Sequence, residues 1–168
     1  MTKMKDFIEK LNLQPHPEGG LYRRNWQSGF TADVQNNKGI ITHPKRALGS
    51  SILYLLQGSE VCAWHRITCE EMWHYYSGSP LKMHILTHQN GWETFILGSD
   101  ILKGEQPQIV MPPKTWFSAE LADPEAYGLC GCTLWPAFTY SDFELAEKKG
   151  LIEEFPQYAE RLSAWFKN

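Results

Sequence analysis

The chain has 168 residues, enough for one domain and too few for two ordinary ones. Apolar residues make 42% and charged residues 21% of it, which excludes global disorder; nineteen acids against sixteen Lys and Arg leave a net charge of -3, which argues against a nucleic-acid binder. No apolar run approaches the roughly 18 residues a membrane helix needs, and the first residues lack a signal-peptide apolar stretch, so the expectation is a cytoplasmic protein without membrane or nucleic-acid partners.

Residues 3–12 carry Met4, Phe7, Ile8 and Leu11 at helical spacing and predict a short amphipathic helix, closed by Pro15 and Pro17. Gln14 to Gly20 (QPHPEGG) reads as a loop, with Gly19-Gly20 serving a tight turn of positive φ. Residues 21–27 can be a strand, and residues 28–49, polar and broken by Gly29, Gly39, Pro44 and Gly49, read as a long excursion. From Ser51 the character changes. SILYLL, VCAWHRI, EMWHYY, LKMHIL, WETFIL, QIVMPP, WFSAEL and YGLCGCTLW follow one another, each short, each rich in β-branched or aromatic residues, each bounded by turn signals. Asn90-Gly91 between two apolar runs marks a hairpin. Many short strands at regular spacing predict an antiparallel sandwich or barrel over about 20–140. Helices return over about 141–166. SDFE (Ser141 to Glu144) spells a capping box, Lys148 and Lys149 precede Gly150 as at a helix end, and a second helix starts at Pro156 with Tyr158, Leu162 and Trp165 as its stripe. The whole of 1–168 reads as a single domain.

The four cysteines, Cys62, Cys69, Cys130 and Cys132, contain no C-x-x-C pair and are expected as free buried thiols. Trp116 and Phe117 read most simply as core. His43, His84 and His88 are expected in solvent, and His74 at the surface or an interface.

The informative stretch is Gly58 to Gly78. With Cys62–Ile67 on one strand and Glu71–Tyr76 on the next, alternation puts His65 and Ile67 on one face and Glu71, Trp73 and Tyr75 on one face. If the two faces coincide, an imidazole, a carboxylate and large aromatic rings share one space, as a small-molecule site requires.

These residues carry a resemblance. The spacing Gly58, six residues, His65-x-Ile67, three residues, Glu71, six residues, Gly78 resembles the first cupin motif with its second His replaced by Ile67. In place of the second motif stands Met111-Pro112-Pro113-Lys114-Thr115-Trp116-Phe117, with Phe117 at the His position. LNLQPHPEGGLYRRNW, RALGSSILYLL, HRITCEEMWHYYSGSPL and GCTLWPAFTYSDFELA closely resemble one branch of cupins, cupin type five, largely classed as a domain of unknown function and including a yeast jelly-roll protein likened to sugar epimerases. Ala137, where Gly is expected, and Arg24, where that branch often carries an acid, are departures.

The resemblance implies an all-β fold, a double-stranded β-helix (jelly-roll barrel) with short terminal helices, commonly a homodimer. Metal-dependent cupins hold their ion with three His and one Glu. This chain retains only His65 and Glu71 of that set, so they are weak metal candidates, with His16 a further outside one, and no cofactor is expected. The same residues can move protons, as in metal-free sugar epimerases of this fold. In that reading His65 is the base, Glu71 its partner, and Tyr75 or Tyr54 the second proton carrier. Tyr54, Trp73, Phe117, Glu18 and Arg23 are the expected ligand-binding residues, with Arg23 also able to hold the Glu71 carboxylate. The expected function is binding of a small polar, sugar-like molecule, with an epimerase- or isomerase-like proton transfer. The alternatives are a ligand-binding or sensing domain without turnover, and a metal-dependent oxygenase or isomerase with a reduced ligand set.

Overall fold

The computed structural model describes residues 2–166, with side chains from Lys5 onward. Helix α1, Thr2–Leu11, lays Phe7, Ile8 and Leu11 on Leu13, Leu55 and Leu129; Met4 of the expected stripe lies outside the described side chains. Thirteen strands follow: β1 Gln14–Pro15, β2 Leu21–Gln27, β3 Thr31–Gln35, β4 Ile41–Ala47, β5 Ser50–Gln57, β6 Val61–Ile67, β7 Glu70–Gly78, β8 Leu81–Thr87, β9 Gly91–Leu97, β10 Gln108–Met111, β11 Trp116–Leu121, β12 Tyr127–Trp135 and β13 Phe143–Leu145.

Eleven of these strands form two facing antiparallel sheets in jelly-roll order, and β3 and β4 pair apart from them. One runs β1-β2-β5-β12-β7-β10, the other β13-β6-β11-β8-β9. Alternation along each strand sends one set of side chains between the sheets, where Tyr54, Leu56, Trp73, Met83, Phe117 and Cys130 belong to a single buried cluster. The opposite faces are covered by helices. Helix α1 lies over the outer face of the first sheet. On the second sheet, Trp64, Leu86 and Trp116 are covered by α2, Lys148–Glu154, and α3, Ala159–Trp165, through Leu151, Phe155 and Leu162. Trp116 and Phe117 are thus both core, as expected, but on opposite faces of β11.

Several expectations are corrected. The excursion over 28–49 is a β-hairpin, β3 and β4, paired from Thr31↔Ala47 to Gln35↔Ile41 and turned at Asn36, whose Oδ1 accepts from the Lys38 and Ile40 amides. It escapes the alternation test because most of its side chains on both faces are exposed. SDFE does not cap a helix. Asp142 instead accepts hydrogen bonds from Arg46, Thr68 and Thr139, and Phe143–Leu145 pairs with β6. Helix α2 starts at Lys148, so Gly150 lies inside it rather than beyond its end. His84 is buried against Trp92 and Trp165, and the His43 ring sits 3.6 Å from Asp142; neither is solvated. His88 is exposed, and His74 bonds Thr133 and Gln108. The four thiols are free and buried.

Candidate functional site

The site starts with a turn. After Pro15 the chain reverses through His16–Gly20, closed by the Gly19 amide on the His16 carbonyl at 3.0 Å and the His16 amide on the Gly20 carbonyl at 3.1 Å. Gly19 takes φ +102, and a Cβ there would collide with the Val61 carbonyl. The Tyr54 hydroxyl donates to the Gly19 carbonyl at 2.7 Å, and the Ala63 amide to the Glu18 carbonyl at 2.7 Å. These bonds pin the turn against β6 and deliver the Glu18 side chain into the barrel, 7% exposed.

On β6, register shifts between the pairs Phe117↔His65 and Ala119↔Cys62. This bulge turns Cys62 and His65, three residues apart, into the same interior. A carbonyl can only accept, so the 2.8 Å contact with the Ala63 oxygen puts the proton on His65 Nδ1. His65 Nε2 then presents a lone pair 3.3 Å from Glu18 Oε2, while the Cys62 thiol donates to Glu18 Oε1 at 3.3 Å. Burial holds His65 down at about 4. Burial first, then the charge of Glu71, pushes Glu18 well above the carboxylate range, against the thiol bond from Cys62. The proton between them therefore resides on Glu18, and the pair is neutral.

Glu71 opens the inward face of β7 and is 5% exposed. Burial pushes it up to about 7, while the Trp73 indole and Cys132 thiol act in the opposite sense. Among the described residues neither Glu71 Oε2 nor Trp73 Nε1 has a partner at full hydrogen-bond geometry. A buried acceptor without a donor is costly unless something else supplies one.

A cavity of about 270 Å³ opens beside Glu71 and Glu18. Ile52, Ile67 and Leu134 form apolar wall, and Gln14, His16, Tyr22, Arg24, Phe138 and Tyr140 line the rest. The His16 ring packs edge-on to Tyr22 at 4.5 Å, and burial holds it down at about 4.

The expected site residues divide. Glu71 and Glu18 line the cavity. His65, 1% exposed, stands behind Glu18 and is backed by the Phe117 ring at 4.1 Å; its partner is Glu18 rather than Glu71. Trp73 and Tyr54 pack edge to face in the core at 5.5 Å. Tyr75 is not on the cavity wall; its hydroxyl donates to the Gly78 carbonyl at 2.6 Å. Arg23 is not on it either. On β2 the odd residue faces away, and Tyr22 and Arg24 face the cavity. Tyr22, Arg24 and Tyr140 were missed, although the strand assignment for 21–27 already put Tyr22 and Arg24 on one face. Tyr140 sits in a short helical turn that the sequence did not signal.

With the fold and site in view, comparison with known proteins places the chain. The family model described as Cupin superfamily (DUF985) matches residues 5–146. The chain belongs to the cupin superfamily. Its fold is similar to that of a protein from Shewanella oneidensis, 33% identical, with 96% of this chain and 95% of that one covered and a TM-score of 0.84. It is similar also to a hypothetical protein from Leishmania major, 28% identical over 96% and 97% of the two chains, TM-score 0.82. Bacillus subtilis oxalate decarboxylase shares the fold alone, at 13% identity, 90% of this chain, 36% of that one and a TM-score of 0.53. No curated protein matches the sequence. The cupin set of three His and one Glu does not fit here. Ile67 and Phe117, both buried and apolar, stand at two of its positions.

Proposed function

We propose that this cupin binds a small polar, hydroxyl-bearing molecule in the cavity beside Glu71 and moves a proton on it, as an epimerase or isomerase would. The observation that carries the reading is Glu71 itself: a carboxyl on the cavity wall, 5% exposed, brought by burial to about 7 against the opposing Trp73 indole and Cys132 thiol. A ligand hydroxyl in the cavity lies beside the Glu71 carboxyl, and an acid titrating near the working pH can both take and return a proton. Glu18 is the second carboxyl on the wall, and His65 is a positioning residue whose Nε2 accepts a hydrogen bond from it. Arg24 at the mouth favours a ligand with an acceptor or anionic end. Tyr22 and Tyr140, rather than Tyr54 or Tyr75, are the phenols on the wall beside the same ligand.

Solvent deuterium exchange into sugars, sugar acids and nucleotide sugars tests the reading. Incorporation that falls about 100-fold or more in Glu71→Gln supports it. Binding seen by thermal shift without exchange in wild type assigns the cavity to a ligand-binding domain without turnover. The setting proposed for this activity is a homodimer in the cytoplasm. Exposed Phe30, Ile40, Ile41 and Leu48 on and beside the β3–β4 hairpin are surface that a second copy would cover, and sedimentation at micromolar protein tests it.

A further inference from the structure

Behind the cavity wall lies a cluster whose thiol, Cys62, the proton-transfer reading leaves unused. Glu18, Cys62 and His65 are all buried, and one ligand atom from each falls within 4.8 Å of the others. We propose that these three residues form a site for a borderline-soft divalent cation such as Zn²⁺, sharing only His65 with the His-and-Glu set of other cupins.

Four observations point there. Glu18 stands between the other two. Cys62 Sγ lies 3.3 Å from its Oε1 and His65 Nε2 3.3 Å from its Oε2, within the about 3.3–3.7 Å that bonds of about 2.0–2.3 Å to a tetrahedral zinc set between donors, and Cys62 Sγ lies 3.8 Å from Nδ1 of the His65 ring. The imidazole is aimed, because Nδ1–H is committed to the Ala63 carbonyl at 2.8 Å, the outer bond that orients metal-ligating histidines. The charges balance, since a thiolate, a carboxylate and a neutral imidazole offset a divalent ion and leave a neutral buried unit. The site is also reachable: Glu18 lines the cavity, so the fourth position opens toward water or a bound ligand, with His16 Nδ1 3.5 Å from Glu18 Oε1 on that side. The donor types select the metal. A thiolate and an imidazole suit zinc and disfavour magnesium, calcium and manganese. On binding, the thiol proton and the proton held between Glu18 and His65 leave to solvent, so metal replaces protons in a network already built around one point.

The site does not rest on the role given to Glu71, which lies outside it. The test is a Co²⁺ titration of untagged protein first stripped with a chelator. Wild type should saturate at one equivalent, with a thiolate-to-cobalt band in the near ultraviolet and the strong visible bands of four-coordinate cobalt. Cys62→Ser should lose the ultraviolet band, while Glu71→Gln and Cys132→Ser keep it. Should Cys62→Ser fail to fold, X-ray absorption of zinc-loaded wild type decides, one sulfur in the shell supporting the site and none overturning it. A wild-type titration without the band, or a band unchanged in Cys62→Ser, overturns it, and either result leaves the deuterium-exchange test of Glu71 standing.

Discussion

Replacing Glu71 by Gln should change how stability depends on pH, with a size that follows from the site. Burial moves the carboxyl from an ordinary 4.5 up to about 7 in the folded chain. Between those values the folded state holds a proton that the unfolded state has released. Stability therefore falls as pH rises through the window, and it levels off above about 7. At about 1.36 kcal/mol per pH unit the whole effect is about 3 kcal/mol. Gln keeps the shape and carries no charge. The variant should track wild type near pH 4 and become progressively more stable than it, by about 3 kcal/mol at pH 8, or roughly 10 °C in Tm for a domain of this size. Glu18 shifts the same way in both proteins, and because Glu71 contributes to its rise, the variant lowers that rise too and widens the gap. Urea unfolding of both proteins from pH 4 to 8 measures the difference. Parallel profiles would refute the reasoning, as would wild type gaining on the variant as pH rises.

Gly19→Ala places a Cβ against the Val61 carbonyl at a φ of +102, so it should cost about 2 kcal/mol or more by urea unfolding and loosen the turn that carries Glu18. Leu162→Ala empties a fully buried position between α3 and the outer face of the second sheet, and should lower the unfolding free energy by about 2–5 kcal/mol without altering ligand-induced thermal shifts at the cavity. Asp142→Ala removes the acceptor of Arg46, Thr68 and Thr139; a loss of about 1–3 kcal/mol is expected, and limited proteolysis should cut first within 36–40, at the tip of the hairpin that Arg46 ties down. Burial pushes the thiols of Cys62, Cys130 and Cys132 well up and that of Cys69 to about 12, so alkylation of folded protein should be slow and become complete only in denaturant.

The barrel was legible because its strands alternate and its turns are punctuated; each apolar run from Ser51 to Trp135 became a strand. Where alternation has no buried face to report, as on the β3–β4 hairpin, the pattern is silent. The capping signal misled at Ser141–Glu144 because tertiary partners, Arg46 and Thr68 above all, claimed Asp142 first. Within the site, parity placed Glu71 and Trp73 correctly along β7. It could not place Cys62 beside His65, since a bulge breaks the two-residue period. Nor could it pair His65 with Glu18, because that contact is made by a turn far away in the chain and fixed by the Ala63 amide and the Tyr54 hydroxyl. Arg23 and Arg24 show the opposite case. Adjacent and chemically alike, they differ in side of the sheet, and the register of Tyr22 on Tyr54 decides which one meets the cavity.

The claim on which the functional reading depends is that the cavity wall carries a carboxyl still partly protonated at neutral pH. Infrared difference spectra, wild type minus Glu71→Gln, across pH 4 to 9 measure this directly through the protonated C=O stretch. The account predicts a band present at pH 5, half lost near pH 7 and absent by pH 9. A difference spectrum already lacking that band at pH 5 would contradict it.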